Sequence, residues 1–545
     1  MERYDSKYVI QIYRFCSKRH SSNAMAFEIS RFIGSGCRPF SAGSVAGSAA
    51  YSDSAGSDCC SADSDSYSDR SLLSPRFLYY YRPKFQKIFK VKNMSLPEEF
   101  KNRMRIILKE KYSLFENAFN ADVFRALRVN TLKCDAETLK KAFSLGEPTA
   151  FCSDSYYLPK NVQKPGNHPL HHAGAFYIQE PSAASVVEAI GIDEGDYVLD
   201  LCASPGGKST QAAAKLCGKG LLLSNEFVSS RVQPLVSNIE RMGITNAIVT
   251  SARPDALCPQ LTKFFDKVIV DAPCSGEGMF RKETAAVENW SVENVLSCAE
   301  RQKKILQNAA ECVKPGGKLV YSTCTYSVEE NEGVIASFLK NNPDFHLVKP
   351  CIDFGESSLA EFAPEVENMQ YARRIFNFNG GEGHFAAVMQ HDGEPTPNIA
   401  STEISRDKNC NTTYQVFADF FKEYFEGDVP QNVITGGDKV YITPVNLKLT
   451  GVQVVRSGVF AGTVRNNRFI PEHAMFNNTL FKARNVLDLP MDDERVYRFM
   501  HGEEIICDSQ IKGYTQVKLC GIPTGFGKAS NKVLKNHYPK GLRIL

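Results

Sequence analysis

Two cysteines carry the strongest chemical signal in this chain. Cys324 lies in Tyr321-Ser-Thr-Cys324-Thr and Cys274 in Asp271-Ala-Pro-Cys274-Ser-Gly. Each follows an apolar, β-rich run, Lys318–Tyr321 in one case and Lys267–Val270 in the other. A strand that ends in a small polar turn delivers the next side chain to the carboxyl edge of a parallel sheet, where open α/β sheets bind ligands. A thiolate placed there is a nucleophile for covalent catalysis, and Asp271 adds a carboxylate for a polar substrate edge. The rival reading is packing, since free cysteines are mostly small core hydrophobes. The 17 cysteines include no C-x-x-C pair, which argues against a zinc ribbon or a thioredoxin-type site.

A third strand end says what else is bound. Val198-Leu-Asp-Leu is followed by Cys202, Ala203, Ser204, Pro205, Gly206, Gly207 and Lys208, a strand, a glycine turn and a helix start. The two glycines let a ligand approach the backbone, and the helix start offers free N–H groups. A dinucleotide fingerprint is absent. A P-loop would need glycine where Cys202 stands, although the Val-Ile-Val-Asp271 strand imitates an ATPase metal strand. An adenosyl ligand without phosphates fits better. Glu226, after the second strand, is placed to accept hydrogen bonds from ribose hydroxyls, and Arg231 to pair with Glu226, to pack on the ligand or to sit in solvent.

Around these motifs strands alternate with helices: Tyr197–Leu201, Gly220–Ser224, Ala247–Thr250, Lys267–Val270, Lys318–Ser322 and His384–Met389, with helices at Lys208–Leu216, Ser229–Met242 and Ala299–Val313. That rhythm predicts an α/β, doubly wound, Rossmann-like domain at 168–391. A small α+β domain is expected at 94–167, with a helix from Leu96, a strand carrying Arg125, Arg128 and Asn130, and a helix capped by Asp135. Residues 392–412 read as a Pro/Thr/Asn-rich linker, and 413–545 as a third, separable domain. Residues 1–93 are Ser/Asp-rich and read as a disordered extension. Acidic residues from Glu2 onward argue against a transit peptide, and a start at Met94 is the alternative.

The net charge of +3 does not demand a polyanion partner. No run approaches a membrane span, and no secretory core occurs near the N-terminus, so reduced thiols in a cytoplasm are expected. His168, His171 and His172 lack distant partners for a metal site, and none is expected. From Ile511 onward, Lys512, Lys518, Lys528, Lys532, Lys535, Lys540 and Arg543 occur without any acid, interleaved with Tyr514, Phe526, His537 and Tyr538. Cations and aromatics in this mixture suit a phosphate backbone and unpaired bases.

Together these motifs resemble the Nop/Sun-type RNA cytosine-C5 methyltransferases, nearest the bacterial ribosomal-RNA small-subunit methyltransferase F branch. Further matching segments are Ser224-Asn-Glu226, His171-His-Ala-Gly-Ala-Phe-Tyr-Ile-Gln-Glu-Pro-Ser182 and Gly381-Glu-Gly-His-Phe385, and the likeness runs from about Met94 to Leu545. It implies an enzyme that forms 5-methylcytosine with S-adenosylmethionine, acting as a monomer on RNA, 16S ribosomal RNA foremost, with a PUA-like RNA-binding domain at the C-terminus. It implies Cys324 as nucleophile on cytosine carbon 6, Cys274 as helper in release, and residues 202–208, Glu226, Arg231 and Asp271 around the cofactor. Proline before Cys274 leaves the exchanged roles open. The family's usual polar residue after the third strand falls on Arg253, with Asp255 two residues on. Arg281, Lys282, Arg373 and Arg374 are candidates for phosphate contacts. A transfer-RNA enzyme and a non-catalytic assembly factor are the alternatives.

Overall fold

The computed structural model describes residues 95–398 and 408–544, with side chains from 412 onward in the second stretch. The expected extension at 1–93 and part of the expected linker lie outside these residues. Helices α1 (Glu98–Leu108) and α2 (Tyr112–Asn120) open the described chain. Next come β1 (Ala126–Val129), α3 (Ala136–Ala142), β2 (Pro148–Thr149), β3 (Cys152–Tyr157) and β4 (Phe176–Gln179). Asp135 caps α3 by accepting from the Thr138 N–H at 2.9 Å, the signal an N-cap aspartate predicts. These strands form a four-stranded sheet in the order β2-β3-β1-β4.

The central sheet is built from β5 (Tyr197–Asp200), β6 (Leu221–Asn225), β7 (Ala247–Ser251), β8 (Phe265–Asp271), β9 (Val313–Thr323), β10 (Phe345–Leu347), β11 (Glu356–Ser357), β12 (Arg373–Ile375) and β13 (His384–His391). Strands β5 to β9 run parallel in the order β7-β6-β5-β8-β9, and β13 lies antiparallel on β9. Their middle residues are apolar and fully buried because both faces are covered, the pattern expected of parallel strands. The helices that cover them include α4 (Gly207–Leu216), α5 (Ser229–Arg241), α6 (Val292–Glu311) and α7 (Glu332–Asn341). The chain moves outward from β5 to β7 and then returns to β8 beside β5. That reversal opens a crevice at the carboxyl ends of β5 and β8, the general place for a ligand in such sheets.

Beyond 398 the chain departs from the single separable domain expected at 413–545. Helix α8 (Lys408–Tyr424) precedes β14 (Val433–Gly436), β15 (Lys439–Ile442), β16 (Gln453–Ser457), β17 (Val459–Arg465) and β18 (Arg468–Pro471). β14, β15, β17 and β18 form one sheet, and β19 (Val486–Leu489), β20 (Ile505–Ile506), β21 (Gly513–Leu519), β22 (Ile522–Ser530) and β23 (Val533–Asn536) form another. β16 leaves both and pairs antiparallel with β7, extending the central sheet. Leu127, Leu139 and Phe176 of the N-terminal segment share one apolar core with Leu487, Val517 and Leu534. The Lys133 ammonium, wholly buried, donates to the carbonyls of Ala173 and Pro523 and to Asn477 Oδ1 at 2.8–2.9 Å. The C-terminal residues are therefore part of the same packed body, and cutting them away would bare its core.

Candidate active site at the carboxyl edge of the central sheet

The first strand end is shaped by glycine and by an arginine from the N-terminal sheet. Gly206 has φ +110, a left-handed value that glycine adopts without strain, and α4 begins at Gly207. Arg128, buried, donates to the Gly207 carbonyl at 3.0 Å and to Thr210 Oγ1 at 2.8 Å, and also bonds Gln179. Asp200 accepts from Ser209 at 2.6 Å through Oδ2, while its Oδ1 is buried without a hydrogen-bond partner among the described residues. Burial, opposed by the Ser209 bond, pushes its pKa up to about 7. Asn225 stitches three strand ends together, donating to the Leu201 and Ala252 carbonyls and accepting from Thr250 Oγ1 and the Ala252 N–H.

Glu226 is 4% exposed. One oxygen accepts from the Val228 N–H at 2.8 Å, and the other lies 3.6 Å from Arg231, too far for a hydrogen bond. Arg231 also donates to the Ser204 carbonyl at 2.7 Å, bracing the 202–208 loop. Phe227 is 58% exposed beside Glu226, an aromatic face at the loop rim that no motif in the sequence announces. Arg253 is exposed and paired with Asp255 at 2.6 Å. An uncommitted oxygen on Glu226, the orphaned Asp200 Oδ1 and the free N–H groups of α4 fit a polar, uncharged sugar face and not a polyphosphate.

The second and third strand ends bring the two thiols together. Cys274 Sγ and Cys324 Sγ are 3.3 Å apart, with either able to donate. That contact, and then burial, raise the Cys274 thiol well above its ordinary value. Asp271 accepts from Ser322 Oγ at 2.8 Å and pairs with Lys208 at 2.8 Å. Burial alone would raise its pKa, but the Lys208 charge and then His384 outweigh it, so the carboxyl lies below its ordinary value. His384 Nε2 is 3.8 Å from Asp271, buried and without a hydrogen-bond partner among the described residues. Burial, then Lys208, lowers the imidazole to about 4, which leaves it neutral.

A buried polar scaffold fixes the Cys324 turn. Asn331 accepts from Thr323 Oγ1 at 2.6 Å and donates to the Thr325 carbonyl at 3.0 Å, gripping both neighbours of Cys324. Glu277 accepts from Thr325 Oγ1, from the Tyr326 N–H and from Trp290. Glu330 accepts from the Ser275 N–H at 2.9 Å and from Gln302 at 2.8 Å. Glu277 and Glu330 each follow a cysteine by only a few residues. That spacing is readable in the sequence, but their inward direction is not.

Several expected RNA contacts are elsewhere. Arg281 is buried, 3.2 Å from Glu382, and donates to the Ala121 carbonyl. Arg374 is buried against Glu332, and Arg373 pairs with Asp353 at 2.7 Å. Lys282 lies 4.0 Å from Glu382. Phe526 and Tyr538 are 2% exposed core residues, with Phe526 stacked on Phe476 and Tyr538 packed against Phe499. Lys528, Lys532, Lys535 and Lys540 are exposed, with Lys528 5.0 Å over the Tyr514 ring. His168 Nδ1 accepts from the Leu170 N–H and so serves as a cap.

Four family descriptions match this chain. "16S rRNA methyltransferase RsmB/F" covers 187–390 and "N-terminal domain of 16S rRNA methyltransferase RsmF" covers 96–181. "RsmF rRNA methyltransferase first C-terminal domain" covers 419–476 and "Methyltransferase RsmF PUA domain" covers 486–544. A ribosomal RNA small subunit methyltransferase F of Vibrio campbellii is 36% identical over 481 residues, covering 83% of this chain and 98% of the relative. The chain belongs to the ribosomal RNA small subunit methyltransferase F family. The Aliivibrio fischeri (strain MJ11) protein of that name is 31% identical over 470 residues, with 83% and 98% covered. A solved methyltransferase homolog from Pyrococcus horikoshii is 28% identical, covering 58% of this chain and 100% of that one, with a TM-score of 0.49. Like its family, the chain is an S-adenosylmethionine-dependent methyltransferase. The matches divide the C-terminal part in two, as the two sheets do, and give the PUA name to the second alone.

Proposed function

We propose that this chain methylates carbon 5 of a cytosine in small-subunit ribosomal RNA through a covalent cysteine adduct. The observation that carries the reading is the 3.3 Å approach of Cys274 and Cys324, beside the Lys208–Asp271 pair and one strand from the 202–208 loop. Carbon 5 of cytosine is a poor nucleophile. The Cys324 thiolate adds to carbon 6 and makes the ring enamine-like, dividing one hard step into easier ones. Asp271, held ionised by Lys208, accepts hydrogen bonds from the cytosine edge and balances charge at ring nitrogen 3. The cofactor, held by residues 202–208, Glu226 and Arg231, supplies a methyl group on a positively charged sulfur. Cys274 then gives up its thiol proton and takes the carbon-5 proton, as part of a proton path, while the carbon 6–sulfur bond breaks.

The target base must leave its stack to reach the thiol. The exposed lysines of the last sheet hold phosphates nearby, and the enzyme works as a monomer in the cytoplasm. No described helix is long and apolar enough to cross a membrane. Bisulfite sequencing of cellular RNA with and without the gene tests the reading. It predicts one small-subunit cytosine that loses its mark when the gene is removed. A lost mark in transfer RNA instead would move the substrate, and no lost mark would leave an RNA-binding factor without this activity.

A further inference from the structure

Glu330 has a feature that the scaffold alone does not require. It is wholly buried, and among the described residues only one of its oxygens is used. Oε2 accepts from the Ser275 N–H and from Gln302 Nε2, and that same Nε2 donates to the Pro273 carbonyl at 3.1 Å. The carboxylate is thus fixed by the backbone on both sides of Cys274. Oε1 is buried without a hydrogen-bond partner among the described residues, and so is Gln302 Oε1. A purely structural carboxylate in such a place satisfies both oxygens, because an unpaired buried acceptor costs free energy.

We propose that Glu330 is the proton acceptor for Cys274 and thereby sets the rate at which the methylated RNA is released. This rests on the role of Cys274 proposed above. In the methylated adduct Cys324 is bonded to carbon 6, and Cys274 carries its thiol proton. That proton moves to Glu330, leaving a Cys274 thiolate. The thiolate takes the proton from carbon 5. The electron pair of that bond forms the carbon 5–carbon 6 double bond, and the carbon 6–sulfur pair leaves on Cys324 as thiolate. Glu330 then gives its proton to solvent. One proton is released per turnover, as methyl transfer to carbon 5 requires, and no other reactant is needed.

The groups that face Glu330 agree with this role. Cys274 lies on the turn after β8 and Glu277 on the turn that follows. Cys298 and Gln302 face it from α6, and Tyr321 from β9, where its hydroxyl donates to the Glu330 carbonyl at 2.6 Å. No cation is among them. Burial, with Glu277 adding its charge, lifts the carboxyl to about 7, although the Ser275 and Gln302 bonds oppose the shift. A group that titrates there can both take and return a proton near neutrality.

The test follows the heat- and detergent-resistant protein–RNA band after a single turnover with cofactor labelled in the methyl group. Wild type, C274A and E330Q are compared across about pH 6 to 8. Wild-type decay of the band should rise with pH through about 7, as Glu330 ionises. E330Q should form methylated adduct and release it at least about tenfold more slowly, without that pH dependence. A flat wild-type profile overturns the proposal without any variant. So does release from E330Q at the wild-type rate and profile while C274A holds the adduct. If C274A releases normally, the fault lies in the role given to Cys274 itself. Should E330Q misfold, as fluorescence of the single Trp290 would show, Gln302→Met offers the second variant. It keeps the carboxylate, frees it from Pro273 and removes a bond that holds its pKa down, so it should lower the release rate and move the pH inflection upward.

Discussion

Replacing Glu226 by alanine should weaken S-adenosylmethionine binding by about 10- to 150-fold. The side chain is 5% exposed, and its Oε1 is occupied by the Val228 N–H at 2.8 Å. Among the described residues Oε2 has only Arg231 at 3.6 Å, so its lone pairs are free for ribose hydroxyls. A hydrogen bond to a charged acceptor is worth about 1.5–3 kcal/mol, and 1.4 kcal/mol is about tenfold in affinity. Alanine also removes the Val228 bond that shapes the turn, so glutamine is the necessary companion. It keeps an acceptor for Val228 and loses the charge. A neutral bond is about half as strong, which puts the glutamine variant about 3- to 12-fold below wild type. Titration calorimetry with the cofactor reads both. Affinities within about twofold of wild type for both variants, with unchanged thermal melting, would remove the second-strand carboxylate from the cofactor site.

Three further outcomes are expected. Cys324→Ala should abolish methylation and leave cofactor affinity in place, whereas Cys274→Ala should accumulate the covalent RNA band. A band from Cys324→Ala on a denaturing gel would exchange the two roles. Glu240 joins α5 to the C-terminal part through His473 at 3.0 Å and Arg456 at 2.6 Å. Those partners outweigh burial and lower its pKa from 4.5 to about 2. A lowered carboxyl stabilises above its unfolded value and loses that contribution as pH falls toward the folded one. Glu240→Ala should therefore cost about 3 kcal/mol at neutral pH and flatten the acid limb of the denaturation curve between about pH 4.5 and 2; an unaltered limb would point to other acids. Changing Lys528, Lys532, Lys535 and Lys540 to alanine should lower the slope of log RNA affinity against log salt by about 0.7–0.9 for each phosphate no longer neutralised, and an unchanged slope would make these lysines plain surface charge.

The parallel strands and the helices between them were legible because both faces of the sheet are covered, so each strand is a run of apolar residues closed by a glycine or polar turn. The cysteines, Asp271 and the 202–208 loop were legible for the same reason, since they sit where those runs stop. What stayed hidden depends on contacts between distant segments. Arg281 and Arg374 look like phosphate ligands in one dimension, yet each is neutralised by an acid about 40 to 100 residues away in sequence. The basic tail interleaves cations with aromatics, but Phe526 in β22 and Tyr538 after β23 pack into the core against Phe476 and Phe499. Glu277, Glu330 and His384 carry no periodic signal; their meaning comes from the loops folded against them. The strand β16 could not be foreseen at all, because its partner lies some two hundred residues earlier.

The place of β16 also bears on the order in which the molecule is made. During synthesis the residues of β5 to β9 emerge from the ribosome well before Gln453, and β7 is then an uncovered sheet edge with free N–H and C=O groups. Such an edge invites pairing with another chain, and a long nascent segment exposes it for many seconds at ordinary translation speeds. The edge closes only when Gln453–Ser457 reaches it, and the shared core of the first and last sheets closes later still. The catalytic apparatus is thus encoded early and completed late, so a chain that terminates before about residue 450 holds both cysteines and the cofactor loop but has no finished sheet to keep them in place.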